Sequence, residues 1–120
     1  MLAQILSEDR IPPETFWNET LVSSRLLEYE TWNRLHAYGA ANSHGNVARA
    51  VLAELAFLEL NPLVLSRALE VFPLPVRTLD ALHLASAEYL KRQGQTLQIA
   101  TYDERLLNCA QHIGIASWPL

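Results

Sequence analysis

One cysteine, one methionine and four glycines are spread over 120 residues, and only 18% of the residues are charged. Each scarcity excludes something. Cys109, alone, can close no internal disulfide, so a reducing compartment is expected and the thiol reads as a small core residue. There is no Cys/His cluster for zinc, no glycine-rich phosphate loop and no Gly-x-Ser-x-Gly elbow for a serine nucleophile. No uninterrupted apolar run approaches the roughly 18 residues of a membrane helix, and no charged segment followed by an apolar one marks a leader. The cytoplasm is therefore the expected compartment. Nine basic residues face thirteen acidic ones, a net charge of −4, which excludes a general electrostatic grip on nucleic acid. Any polyanion must be held locally.

What is present is apolar. Half the residues are hydrophobic, rich for a small monomer, so part of that surface is expected to be covered by a partner, with a homodimer as the default. A chain of 120 residues is expected to form one domain, 1–120, burying about two thirds of its unfolded surface. Met1 to Leu6 reads as the remainder of a helix, broken by Ile11-Pro12-Pro13, after which Pro13 and Glu14 open a short one through Trp17. Thr20 to Ser23 reads as a brief strand, and Ser23 or Ser24 caps a helix from Arg25 to Tyr38 that Gly39 ends. Ala40 to Asn46 reads as a polar loop with a solvated His44, Val47 to Leu55 as a helix, and Ala56 to Leu60 as a strand or the helix's continuation. Pro62 opens a helix through Glu70, Phe72 to Pro75 turns, and a further helix from Arg77 closes at Gly94. Leu97 to Thr101 is an expected strand, Glu104 to His112 a helix, and Ile115 to Trp118 a last strand. Helices alternating with short strands predict an α/β sandwich with a mostly parallel sheet.

Within Arg77 to Tyr89 the helical wheel is apolar almost all round, so a buried helix is expected and Asp80 is its anomaly. A buried carboxylate costs several kcal/mol in order of magnitude unless a donor or a cation meets it. The bland account makes Thr78 the N-cap and places Asp80 in the first turn, where the helix dipole favours an acid. Asp103, between a strand and a helix, has an N-cap as its own bland role. On the helix from Arg25, both Glu28 and Glu30 lie beside apolar neighbours; position alone does not choose between them, and Glu30 is spaced to pair with Arg34. His83, three residues after Asp80, reads as a satisfied core histidine. Sites in parallel sheets form outside the carboxyl ends of the strands, and acids gathered there would repel unless a hard divalent cation neutralised them.

The segments L-V-S-S-R-L-L-E-Y-E (Leu21 to Glu30), T-L-D-A-L-H-L-A-S-A (Thr78 to Ala87) and A-T-Y-D-E-R-L (Ala100 to Leu106), in that order, resemble the PIN-domain ribonucleases, specifically the VapC toxins of bacterial toxin–antitoxin modules. The resemblance implies an α/β/α sandwich, binding of Mg²⁺ or Mn²⁺ by a quartet of acids, and cleavage of RNA. It carries the helix acid onto Glu30 in preference to Glu28, the other acids onto Asp80 and Asp103, and a small hydroxyl beside the last acid onto Thr101. It also implies an antitoxin whose C-terminal tail lies across the acidic groove. Arg25, Arg77 and Arg105 stand next to the acidic motifs and are candidates for RNA phosphates. Trp17, Trp32 and Trp118 read as core or dimer-interface residues rather than base-stacking platforms.

The family pattern opens with an apolar strand ending in Asp and then Thr or Ser; Met1 falls inside the helix that would follow it. Glu8 and Asp9 read as surface residues and poor substitutes for that aspartate. Two readings follow: Met1 is an internal methionine, or the chain is a degenerate member that folds differently at its N-terminus, in which case a non-catalytic PIN-like interaction module is the expected function. If Met1 is internal, the in-frame codons upstream encode a short β-branched run ending in Asp-Thr or Asp-Ser; genomic sequence checks this, and an in-frame stop there favours the module.

Overall fold

The computed structural model describes residues 12–120, so the helix expected for Met1 to Leu6 and the acids Glu8 and Asp9 lie outside the described residues. Two compact units are distinguished, the first ending at Leu58 and the second being Glu59–Leu120.

In the first unit, Pro13 leads into a 3-10 turn, Glu14–Asn18, whose Phe16 is buried and stacks on Trp17 with ring centroids 5.1 Å apart. Strand β1, Leu21–Ser24, runs parallel to β2, Leu55–Leu58, with Leu21 opposite Leu55 and Ser24 opposite Leu58. Of the residues left open between strand and helix, Ala56 to Leu58 are strand, which begins at Leu55 where helix was expected, while Glu59 and Leu60 lie outside it. Ser24 accepts a hydrogen bond from the Leu26 amide at 3.2 Å just before helix α1, Leu26–Ala37, but the N-cap is Arg25, already helical in its dihedrals, and no side chain caps the helix, so the expected serine cap is corrected.

The exit from α1 is specified by Gly39, which takes φ +64. That left-handed residue lets the Gly39 amide donate to the His36 carbonyl and the Ala40 amide to the Leu35 carbonyl, so the last carbonyls are satisfied. Leu35 and Ala40 then meet in one buried cluster with Ala48. The same pair of bonds recurs at Gly94 and Gly114, closing the second unit's two longer helices.

The expected loop at Ala40 to Asn46 is corrected: helix α2 starts at Ala41 and runs to Ala53. Gly39 and Ala40 complete the connection by themselves, and the polar run continues as helix because Gly45, Ala48 and Leu52 fall on one buried face. Gly45, within that segment, permits a close approach, since a Cβ there would lie 3.3 Å from the Trp32 ring. Trp32 is half-buried against the Leu35 cluster, in keeping with a core role.

The second unit opens with α3, Pro62–Ala68, in which Asn61 caps the Val64 amide at 3.0 Å and proline occupies the first turn. Helix α4, Thr78–Arg92, has Arg77 rather than Thr78 at its N-cap, and no side chain caps it. Thr78 is already helical because the extended Arg77 supplies the carbonyl that receives the Ala81 amide at 2.9 Å. Nor is α4 buried all round: Ala81, Leu84, Ala85, Ser86 and Glu88 face inward while Leu79 is exposed. Strand β3 shrinks to Gln98–Ile99 and pairs in parallel with β4, Ala116–Ser117, helix α5, Glu104–His112, lying between them in sequence. Both strands are shorter than expected; beyond Ile99 the chain leaves the ladder, and the Thr101 hydroxyl bonds the Asp103 amide instead of a neighbouring strand. The core gathers Phe72, Ala81, Leu84, Leu106, Cys109, Ala110 and Ile115, with Cys109 fully buried as its apolar setting implied.

The buried Glu88 is the feature that sequence patterning did not expose. Its Oε1 accepts from Arg67 Nε at 2.8 Å and lies 2.8 Å from an Arg92 terminal nitrogen. The Arg67 guanidinium also lies 4.0 Å over the Phe72 ring, so one side chain ties α3, the turn and α4 together. Glu88 and Arg67 side chains are 11% and 14% exposed, whereas Arg92 is 69% exposed. Removing Glu88 strands the Arg67 charge, but removing Arg92 leaves Glu88 a partner. Glu88→Ala is therefore expected to cost roughly 3 kcal/mol and Arg92→Ala under about 1 kcal/mol, as read by urea unfolding; equal losses would contradict this account.

Candidate acidic site

The acids singled out by sequence sit on three helices, one in the first unit and two in the second. Glu30 lies in the middle of α1 and is half-buried. Glu28, its competitor, is 3.8 Å from Arg25, whose guanidinium also covers the Phe57 ring at 4.6 Å. Glu28 thus has a local, structural use for its charge. That same use draws Arg25, a candidate phosphate ligand, into contacts within its own unit.

Asp80 occupies the first turn of α4, as expected, and is half-buried. Because α4 has no side-chain cap, Asp80 is the acid in the turn whose free amides favour negative charge. His83, one turn further on, is also half-buried.

Asp103 is the N-cap of α5, as its bland reading held. Its Oδ1 accepts from the Arg105 amide at 2.9 Å and from the Leu106 amide at 3.3 Å. Both capping bonds fall on one carboxylate oxygen. Its own amide donates to Thr101 Oγ1 at 3.0 Å, so Thr101 fixes the backbone from which the carboxylate projects. Asp103 is exposed, and so are Arg77 and Arg105, beside the two aspartates in sequence. Ala81, next to Asp80, and Leu106, three residues after Asp103, belong to the same buried cluster, which sets the first turns of α4 and α5 on a common core.

Each of these acids offers carboxylate oxygens, the donor type that suits a hard divalent cation. Among the described residues, no group of three or more His, Cys, Asp or Glu side chains is gathered as such an ion would require. A surface hollow of about 570 Å³, lined in part by Arg67, Glu70, Glu88, Lys91 and Arg92, lies elsewhere. At about 1.5 Å per residue, Lys91 is some 16 Å along α4 from Asp80. Of the two carboxylates lining the hollow, Glu88 is engaged by two arginines and so bears on folding. Arg67 could not have been matched to Glu88 from spacing; only the i, i+4 partner Arg92 was legible. Among the described residues no helix is long and apolar enough to cross a membrane.

Comparison with known proteins bears on the whole chain. The PIN domain model matches residues 3–111 and so runs through both units. Ribonuclease VapC46 of Mycobacterium tuberculosis is 38% identical over 96 residues, covering 79% of this chain and 70% of that protein. Ribonuclease VapC47 of the same species is 37% identical over 70 residues, 58% of this chain and 50% of that protein. No solved structure matches. With a helical acid in the first unit, two aspartates opening helices in the second, and a family model spanning nearly the full length, the chain belongs to the PIN-domain family.

Proposed function

We propose that this chain is the endoribonuclease toxin of a toxin–antitoxin pair, one PIN-like domain with Glu30, Asp80 and Asp103 as ligands of Mg²⁺ or Mn²⁺. The observation that carries the reading is Asp103: its capping duty is met by Oδ1 alone, and Thr101 holds the adjoining backbone, so Oδ2 is available to a cation. The ribonuclease names of two relatives support the reaction class. A bound divalent cation would neutralise charge on the phosphodiester and lower the pKa of a water. Asp80 contributes a carboxylate from a first turn that tolerates negative charge, and Glu30 one from mid-helix. Arg77 and Arg105, exposed beside the aspartates, hold RNA phosphates, while Arg25 does so only by giving up contacts with Glu28 and Phe57.

The partners proposed with this activity are an antitoxin that lays a basic or polar side chain against the acids, and a second copy of the chain, in the cytoplasm. Leu63, Leu65, Leu69 and Val71 are exposed around α3, which supports a covered apolar surface. The second reading, a non-catalytic interaction module, is favoured by the lack of a gathered three-ligand group among the described residues.

Cleavage of RNA by the chain, expressed with its upstream codons if these are in frame, is expected with Mg²⁺ or Mn²⁺ and is lost in excess chelator. Glu30→Gln, Asp80→Asn and Asp103→Asn each lower the rate by on the order of 100-fold or more. Asp103→Asn does so without lowering the melting temperature, because asparagine caps a helix about as well as aspartate. Chelator-resistant cleavage would sink the metal mechanism; folded protein that is calorimetrically silent toward Mn²⁺ and inert on RNA would transfer the assignment to the interaction module. Sedimentation at high micromolar concentration should give a dimer, and a monodisperse monomer counts against it.

A further inference from the structure

In an acidic protein, an arginine not committed to a carboxylate is worth tracing. Arg25 goes to Glu28, and Arg67 and Arg92 go to Glu88. Arg49 on α2 does otherwise. It is exposed, and among the described residues it pairs with no carboxylate; its terminal nitrogen donates to Asn46 Oδ1 at 3.0 Å and its guanidinium lies 4.8 Å over the Trp32 ring. Trp32 is in turn fixed by the buried cluster behind it and by the close approach at Gly45. Along α1, Tyr29, Trp32, Asn33 and His36 fall on one helical face by their spacing. The His36 ring is exposed and tilted at 6.0 Å from the Trp32 ring, and Tyr29 is 66% exposed.

We propose that Trp32 and Arg49, with Tyr29 and His36 beside them, form a patch on the first unit that holds single-stranded RNA. This rests on the reading of RNA as the substrate and adds which residues of the first unit grip the strand besides the metal ligands. A guanidinium stacked on an indole is already ordered, so binding a phosphate costs it little further entropy, and its planar fork suits phosphate oxygens. An exposed tyrosine ring offers a face on which an unpaired base stacks. The patch is aromatic and hydrogen-bonding, with Asn33, His36 and Asn46 among its members, and it lacks the row of aliphatic side chains that a docking helix requires. It also answers how a chain with net charge −4 takes a polyanion: the contact is local, and stacking supplies what charge does not.

Anisotropy of a fluorescein-labelled single-stranded RNA 12-mer, titrated with the full chain in excess chelator, tests the patch with cleavage and metal binding switched off. The wild-type chain is expected to bind; Arg49→Ala weakens binding roughly tenfold and flattens its salt dependence, and Tyr29→Ala weakens it roughly tenfold while Tyr29→Phe does not. Tyr29 is too exposed for its loss to unfold the chain, so its result stands even if Arg49→Ala loosens α1 from α2. A duplex of the same sequence should bind more weakly, because its bases are not free to stack. Wild-type affinity in both Tyr29→Ala and Arg49→Ala, or a patch that affects capture of a protein partner but not of RNA, would overturn the proposal. Those outcomes are independent of whether manganese restores cleavage, which tests the acidic site alone.

Discussion

Short parallel pairing is the constraint on which the rest depends. Strands of four and two residues contribute few ladder bonds, and parallel strands must be joined by crossover helices. The helices therefore carry most of the burial, and where each begins and ends has to be specified by its own terminal chemistry. Three helices end with a positive-φ glycine and the same two carbonyl-satisfying bonds, each handing on a residue that enters or approaches the core: Ala40 after Gly39, Ile115 after Gly114, and Gln95, leading toward Leu97, after Gly94. The scarce glycines are thus spent mainly on stopping helices, and the fourth, Gly45, on letting two of them touch.

Helix starts are treated less uniformly, and the candidate chemistry lies there. Asn61 and Asp103 cap by side chain, while α4 has no side-chain cap and carries Asp80 in its first turn. Structural and functional accounts of these acids are compatible rather than exclusive. A carboxylate has two oxygens, and at Asp103 the amides of Arg105 and Leu106 converge on one. An N-cap aspartate is held in direction by the helix it opens, which is useful for a ligand because the ordering is already complete before any cation arrives.

Arginine is used in two ways. Arg67 is largely buried, donates to Glu88 and the Val71 carbonyl and lies over the Phe72 ring, and its role is to hold α3 on α4. Arg49 and Arg34 lie over Trp32 and Tyr38 with no carboxylate partner among the described residues, and Arg49 also donates to Asn46 Oδ1. Net charge treats these arginines as equivalent; their neighbours do not.

The helices over Leu26–Ala37 and Glu104–His112, the proline-opened α3, the glycine stops and the N-terminal position of Asp80 and Asp103 were legible because each is set within a few residues of chain. So was the family, whose three motifs are local. The start of α2 was misread because polarity and a glycine imitate a loop, whereas the face formed by Gly45, Ala48 and Leu52 has meaning only when Trp32 lies against it. The preference for Glu30 over Glu28 came from resemblance; the Arg25 contact that occupies Glu28 came from the structure. Glu88 with Arg67, 21 residues apart, and Arg49 over Trp32 were decided by tertiary structure alone, because a charge or ring chooses its partner by proximity in space, and sequence spacing reports proximity only within a single helix or strand.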